Sequence, residues 1–284
     1  MIFIRSPPIA LVLIAIISIC AFVVGVAPIQ RIGVFVPHTV QPTTKIRLRK
    51  ISQKVDPAPF SPIVQCKKQM LRNKIVTPIN FDRLSRHLEG YDINIKNILV
   101  NGFKFGFDIG YRGVPNSNIN VSNLKSALER PIVVSEKIRK ELEANRLVGP
   151  FPYPPFEFFQ INPIGLVPKK EPDTFRLITH LSSPPGQSIN DGIDHEFSEV
   201  HYSSIQDAIS LLINLGKGVF MAKCDIRSAF RLLPVLPEQY HLLGMKWNDN
   251  YYFDKCMPMG ARSSCNLFEL FSTCLEFISK KKQY

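Results

Sequence analysis

One acidic residue, Asp225, stands at the end of an apolar run, residues 219–222, that is typical of a buried strand. A carboxylate at the point where a buried strand meets a turn is costly unless it is paired or binds a metal ion. An ordinary turn-forming aspartate would explain this short stretch as well, because short motifs often match by chance. Asp225 is therefore a candidate metal ligand whose assignment depends on the residues around it.

A second stretch of possible chemical interest is a hairpin with a cationic tip. Two apolar strands, Ile164 to Val167 and Phe175 to Leu181, are joined by a polar turn at 171–174. Three cations flank the turn: Lys169, Lys170 and Arg176. Cations grouped in this way suit a triphosphate. A surface hairpin with solvated charges is the alternative that this stretch alone leaves open.

The elements that follow would position these residues. A helix capped by Ser203 or Ser204 and stopped by Gly216 precedes the Asp225 strand. A hairpin is predicted from Leu242–Trp247 and Tyr251–Cys256. The sequence Met-Pro-Met-Gly at 257–260 forms a turn before a last helix, which is predicted over 263–278 from apolar residues at helical spacing.

The sequence also predicts the helices and strands that precede the cationic hairpin. Asn80 should cap a short helix, Phe81 to Leu88, and the loose alternation from Ile98 to Phe107 predicts a strand. Ser122 should cap a helix that Pro131 stops. Ser135 should cap the next helix, which reaches Leu147 and ends at Gly149-Pro150.

Composition indicates a folded, basic chain. Of 284 residues, 45% are apolar and 20% are charged, and 35 lysines and arginines against 23 acids give a net charge of +12. This excess suits a nucleic acid or an anionic membrane surface, although many basic proteins bind neither. The six cysteines show no metal-ligand or paired spacing, so we expect reduced thiols in an intracellular protein.

The N-terminal part, 1–30, contains an uncharged run of 19 residues from Ile9 to Ala27. A helix of that length roughly spans a hydrocarbon core at about 1.5 Å per residue, so a transmembrane helix is the first interpretation. A signal peptide, or translated sequence that is not part of the working protein, are the alternatives.

Residues 31–76 are predicted to form a basic, flexible linker. Between Gln41 and Val76 there are nine lysines and arginines, four prolines and a single acid, Asp56. A solvated spacer and a nucleic-acid-facing or lipid-facing arm both fit. If the run before it is an anchor, the positive-inside rule places the C-terminal side in the cytosol; otherwise the protein is intracellular.

Several phrases, taken together and in order, resemble the reverse transcriptases of DIRS-type (tyrosine-recombinase) retrotransposons. They are NPIGLVPKKEPDTFRLITHLS, SINDGI, KCDIRSAFRLLPV, HLLGMKW and YYFDKCMPMGARSSCNLFELFSTCLEF, preceded by TPINFDRLSRHL, NGFKFGF and NLKSALERP. The resemblance covers about Thr77 to Phe277. It implies an α+β fold of the right-hand polymerase type, with the fingers and the N-terminal part of the palm. It divides the chain into a helical or extended region at 77–160 and a partial reverse transcriptase domain at 161–284.

The resemblance also implies roles for individual residues. Asp225 and the backbone carbonyl of Ile226 would bind Mg²⁺, and Phe230 would be the steric gate that selects deoxynucleotides. The resemblance further implies that the dNTP pocket is formed by Lys169 or Lys170, Arg176, Met259 and Gly260. Many relatives have Gln where Met259 stands, so a polar contact is lost here. The implied partners are an RNA or DNA template-primer and dNTP, and nothing in the sequence points to a specific protein partner.

The sequence departs from the family in one chemical respect. The palm needs a Tyr-x-Asp-Asp hairpin for its other carboxylates, and this sequence contains no Asp-Asp pair. We therefore expect a chain truncated before that motif and inactive in isolation as an RNA-directed DNA polymerase. A non-catalytic nucleic-acid-binding remnant and a membrane-tethered remnant are the rival interpretations.

Overall fold

The computed structural model describes residues 3–4, 75–114, 121–200, 204–215, 220–221 and 226–281. Six helices lie in these ranges: α1 Phe81–His87, α2 Ile93–Phe105, α3 Lys125–Leu128, α4 Pro131–Glu143, α5 Ile205–Leu215 and α6 Ser264–Lys281. Short 3₁₀ turns cover Asn190–Gly192, His195–Ser198, Ala229–Leu232 and Pro237–Leu242. The mixture of helices and antiparallel strands confirms the predicted α+β class.

The strands form three small antiparallel sheets. They are β1 Phe3–Ile4, β2 Leu147–Phe151, β3 Ile164–Pro168, β4 Phe175–Thr179, β5 Phe220–Met221, β6 Gly244–Trp247 and β7 Asn250–Asp254. The order in the central sheet is β2-β7-β6, while β3 pairs with β4 and β1 pairs with β5. The predicted hairpins at 164–181 and 242–256 are thus confirmed, with slightly shorter strands.

The main core is aromatic and joins distant parts of the chain. Phe103 of α2 packs edge-to-face on Phe107 and Phe271, with ring centroids 5.0 and 4.9 Å apart. Phe253 of β7 belongs to the same cluster. Because this core combines residues from before and after position 160, helices α2 and α6 position the central sheet together. The division at 160 stays a prediction.

A second apolar cluster lies between α4 and the β3–β4 hairpin. It is built around Trp247 and Leu166, with Val134 and Ile138 from the buried side of α4. The indole nitrogen of Trp247 donates to Ser135 Oγ at 3.0 Å, which satisfies its polar group within an apolar environment. This cluster fixes the inner face of the hairpin, while Val167 and Arg176 toward the tip of the other face are exposed.

The predicted strand over Ile98–Phe107 was wrong, because this stretch lies largely in helix α2. Asp92 caps that helix through its carboxylate, which accepts from the backbone N–H groups of Asn94 and Ile95 at 2.9 Å each. The helix ends at Gly106, whose φ of 104° suits glycine best. The cap at Asp92 outweighed the alternation of apolar and polar residues. Asn80 caps α1 as predicted, since its side chain accepts from the backbone N–H of Arg83.

The boundaries predicted around Pro131 were also wrong. Helix α3 begins only at Lys125, so Ser122 is not its cap, and Pro131 begins α4 instead of stopping a helix. Proline suits a first helical position because its missing N–H would have no partner there. Ser135 lies inside α4, and Leu147 and Gly149-Pro150 belong to strand β2 rather than to the end of that helix.

Helix α5 begins as predicted at a serine cap. Ser204 Oγ accepts from Asp207 N at 3.1 Å, and the Asp207 carboxylate accepts from Ser204 N at 2.7 Å. In the described part of the chain, no helix is long and apolar enough to cross a membrane. The predicted span from Ile9 to Ala27, like the basic linker, lies outside the described residues.

Candidate nucleotide site

The cationic hairpin has two different faces. The β3–β4 register pairs Leu166 with Leu177 and Val167 with Arg176. Directly opposed residues of a hairpin share a face, so Leu166 and Leu177 face the second core while Arg176 lies on the outer face. Lys169 N donates to Thr174 O at 2.8 Å, which continues the ladder beyond the strands.

This register distinguishes the two lysines that the sequence could not separate. Lys169 lies two residues beyond Val167 and therefore shares the outer face with Arg176, whereas Lys170 is in the turn. All three cations are exposed, and among the described residues none of them forms an ion pair. The outer face of the hairpin thus presents Lys169 and Arg176 side by side to solvent.

The base of the hairpin touches the Met-Pro-Met-Gly turn. A Cβ added at Gly260 would lie 2.3 Å from the carbonyl oxygen of Thr179, the last residue of β4. A contact that short cannot be accommodated without movement of the backbone. Glycine at this position therefore permits close approach of the turn to the hairpin.

Asn190 joins these two segments and is almost completely buried. Its Nδ2 donates to the carbonyl oxygen of Gly260 at 2.9 Å and to Ser182 Oγ at 2.8 Å. Its Oδ1 accepts from the backbone N–H of Arg262 at 2.9 Å, and its own N–H donates to Leu181 O. One side chain thereby binds both the end of the hairpin strand and the turn before α6.

The segment after Asp225 packs against the strand that leads into the same turn. Val235 N donates to Lys255 O, and Met257 N donates to Leu233 O, each at 2.8 Å. Within that segment Phe230 is half-buried, and its ring lies edge-on to Phe268 of α6 at 5.8 Å. The segment is therefore anchored to residues 255–257, directly after β7, by backbone hydrogen bonds and to α6 by an aromatic contact.

Arg231, directly after Phe230, is the centre of a buried ion network. Its guanidinium donates to Glu141 and Asp254 carboxylates and to the carbonyl of Cys256. Arg146 also donates to Glu141, at 2.8 Å. The network ties the segment after Asp225 to α4 and β7 at once.

The charges in this network shift one another's pKa values. Burial alone would lower the pKa of Arg231, but the adjacent Asp254 and Glu141 carboxylates raise it above its ordinary value. Burial raises the pKa of Asp254, with Arg231 opposing. Burial also tends to raise the pKa of Glu141, but the neighbouring Arg231 and Arg146 outweigh this effect, so its pKa is lowered.

The structure describes every predicted site residue except Asp225. The base of the hairpin, the Met259–Gly260 turn and the Phe230 segment meet at residues 255–262, whereas the hairpin cations lie toward its tip. Met259 itself is about half exposed, at 52%, beside Gly260. Ile226 is half-buried against the main core, whereas Asp225 lies outside the described residues, so its position relative to the others stays a prediction.

The described residues do not complete a metal site. They contain no group of three or more His, Cys, Asp or Glu side chains that could hold an ion. The Asp254 carboxylate is already paired with Arg231. The Mg²⁺ expected at Asp225 and the carbonyl of Ile226 therefore stays a prediction.

Sequence reasoning missed the residues that hold the site together. Asn190 lies in the stretch SINDGI between Ile189 and Asp191, and these neighbours gave no signal that its amide would be buried and hydrogen-bonded. Arg231 was visible as a charge before the apolar pair Leu232 and Leu233. A buried arginine requires carboxylate partners, which here come from 90 residues upstream and 23 downstream.

Comparisons with known proteins give the following findings. No protein-family model matches the sequence, and no curated protein matches it. Among solved structures, native prototype foamy virus protease-reverse transcriptase shares 15% identity at a TM-score of 0.38, covering 78% of this chain and 28% of its own. Foamy viral protease-reverse transcriptase structures with double-stranded DNA and with an RNA/DNA hybrid share 13% identity, at TM-scores of 0.38 and 0.37. They are covered over 36% and 28% of their length, so this chain spans about a third of the structures it resembles.

Proposed function

We propose that this chain forms the fingers and the N-terminal part of the palm of a DIRS-type reverse transcriptase, and that it binds dNTP over the outer face of the cationic hairpin. The main support for this proposal is the meeting of three stretches that resemble the family. They are far apart in sequence, and they meet at residues 255–262 through Asn190, Gly260 and the Phe230 segment.

The positions of Lys169 and Arg176 suit the binding of a nucleotide's phosphate groups. Lys169 and Arg176 lie on one exposed face and have no carboxylate partner among the described residues, so their charges are available to phosphate oxygens. Arginine binds two such oxygens with its planar fork, whereas lysine supplies a compact charge. The Met259–Gly260 turn at the base of the hairpin would border the sugar and base.

The chemistry of the family is nucleotidyl transfer from dNTP to a primer 3′-hydroxyl. In that reaction Mg²⁺, when bound at Asp225 and the carbonyl of Ile226, would activate the hydroxyl and stabilise the leaving pyrophosphate. Because the described residues do not complete that site, the proposal for this chain is restricted to binding dNTP and an RNA or DNA template-primer.

Photoaffinity labelling tests the proposal. The full-length chain, with a template-primer, is labelled with a dNTP that carries an azido group on its γ-phosphate, and the labelled peptides are mapped by mass spectrometry. We expect labelling within residues 161–181, competition by unlabelled dNTP, and loss of labelling in Arg176→Ala.

Arg86→Ala is the matched control, because Arg86 is an exposed arginine on α1. It should be labelled like the wild type. Equal labelling of both arginine variants would contradict the nucleotide site. Retained affinity for template-primer in that case would favour a non-catalytic nucleic-acid-binding remnant.

We also propose, independently, that residues 9–27 anchor the protein in a membrane with the C-terminal side in the cytosol. The uncharged run and the basic stretch after it support this orientation. The full-length protein should pellet with membranes and resist alkaline carbonate. Replacing Ile16 and Ile19 by arginine should release it, and equal solubility of both versions would refute the anchor.

A further inference from the structure

A cavity of about 700 Å³ opens beside the end of α4, between strand β2 and the residues at 75–77. This volume falls in the range that small-molecule sites occupy. The side chains of Val76, Leu142, Leu147 and Val148 supply the apolar part of its wall, and polar groups supply about as much of the lining surface. The cavity is lined by residues outside the proposed nucleotide pocket.

A buried lysine lines this cavity. Lys255 is only 4% exposed, and its Nζ donates to Asn145 Oδ1 at 2.8 Å. Asn145 lines the cavity as well. In the part of the chain that the structure describes, no carboxylate forms an ion pair with Lys255. An ammonium with one neutral acceptor in a buried position is poorly compensated.

The surrounding charges do not neutralise Lys255. The neighbouring carboxylates, Glu141 and Asp254, form their ion pairs with Arg231 and Arg146 and not with the lysine. The adjacent thiol of Cys256 contributes no negative charge, since burial raises its pKa to about 11. Burial also lowers the pKa of Lys255, as expected for a cation that lacks a counterion.

We propose that this cavity binds a small aliphatic carboxylate, whose anionic end pairs with the Lys255 ammonium and whose apolar body lies against Leu142, Leu147 and Val148. The carboxylate supplies the missing counter-charge through a charge-assisted hydrogen bond to the ammonium. A cationic group next to the apolar side chains selects such a ligand over a neutral alcohol or an amine.

A diazirine analogue of octanoate provides a site-specific test on the full-length protein. After photolysis, mass spectrometry should locate label within residues 142–149. Octanoate should compete for this labelling, whereas octan-1-ol and octylamine at the same concentration should not. Labelling confined to other peptides, or equal competition by octanoate and octan-1-ol, would overturn the proposal.

Lys255→Met removes the charge and keeps a flexible apolar chain. It should weaken labelling of residues 142–149 by about tenfold or more, which is the factor that one charge-assisted hydrogen bond provides. Lys125→Met, at a largely exposed lysine of α3, should leave the labelling unchanged. If Lys255→Met does not fold, as judged by circular dichroism, the competition series on the wild type decides the question alone.

Discussion

The side-chain nitrogen of Asn190 lies 2.9 Å from the carbonyl oxygen of Gly260, and the side-chain oxygen accepts from Arg262 N at the same distance. A single amide therefore satisfies two backbone groups on either side of residue 261. Because the backbone N–H of Asn190 also bonds to Leu181, the hairpin and the turn before α6 are held in one arrangement.

Replacing Asn190 by leucine keeps the branched shape of the side chain and removes the hydrogen bonds. With Asn190 only 7% exposed, the Gly260 carbonyl and the Arg262 N–H would lose their partner at a site with little water. We expect the free energy of unfolding to fall by about 1–3 kcal/mol, and labelling by the azido dNTP to weaken with it. Urea unfolding measures the first effect.

Asn94→Leu is the control for this change, since Asn94 is exposed in the first turn of α2. Its effect on the free energy of unfolding should stay within about 0.5 kcal/mol. Similar losses in both variants would show that Asn190 has no special role.

The register of the hairpin predicts different roles for its two lysines. Lys169 shares the outer face with Arg176, so Lys169→Ala should weaken dNTP labelling roughly tenfold, the loss of one charge-assisted contact. Lys170→Ala should have a clearly smaller effect, because Lys170 lies in the turn. Competition curves with unlabelled dNTP give both values, and a larger loss in Lys170→Ala would contradict the assignment of faces.

The Arg231 network predicts a dependence of stability on pH. The pKa of Glu141 is lowered from its ordinary 4.5, so the unfolded chain takes up a proton before the folded one does. The stabilisation from Glu141 is complete above about pH 4.5 and is lost as the pH falls through the folded pKa. The difference in Tm between wild type and Glu141→Gln should therefore shrink below pH 4.5.

Glu143→Gln on the same helix provides the comparison, because Glu143 is 59% exposed and pairs only with Arg139 among the described residues. Exposed ion pairs contribute little, so its Tm difference should be small throughout. A difference for Glu141→Gln that is constant from pH 3 to pH 7 would contradict the lowered pKa.

Phe230 has two interpretations that one variant separates. As a steric gate it would exclude the 2′-hydroxyl, and Phe230→Ala should then raise labelling by an azido ribonucleotide relative to the deoxynucleotide. As a core residue it only packs on Phe268, and the ratio should not change. Phe268→Ala, which removes the same aromatic contact from the other side, should leave the ratio of the two labels unaltered.

The sequence was most informative where local chemistry decides the structure. The apolar strands around the turn at 171–174 and the helix capped by Ser204 follow from nearby residues, and both are present. The alternation over 98–107 misled because the cap at Asp92 lies outside that window. Pro131 misled because proline suits both the end of one helix and the first turn of the next.

The links between distant segments could not be predicted in this way. The partners of Asn190 lie 8 and 70 residues away, and Arg231 pairs with Glu141 across 90 residues. Nothing in the spacing of these residues specifies such contacts, which depend on how the sheets and helices pack. The resemblance singled out stretches that meet at residues 255–262, but it did not indicate which residues join them.

If the hairpin and the Gly260 turn form the proposed nucleotide pocket, the choice of dNTP should depend on the template. Labelling by the azido dNTP is compared in the presence of four template-primers that differ only in the next template base. We expect the complementary unlabelled dNTP to compete best in each case, and labelling to fall when the template-primer is omitted. Equal competition by all four dNTPs, or labelling that does not depend on the template-primer, would contradict the proposed pocket.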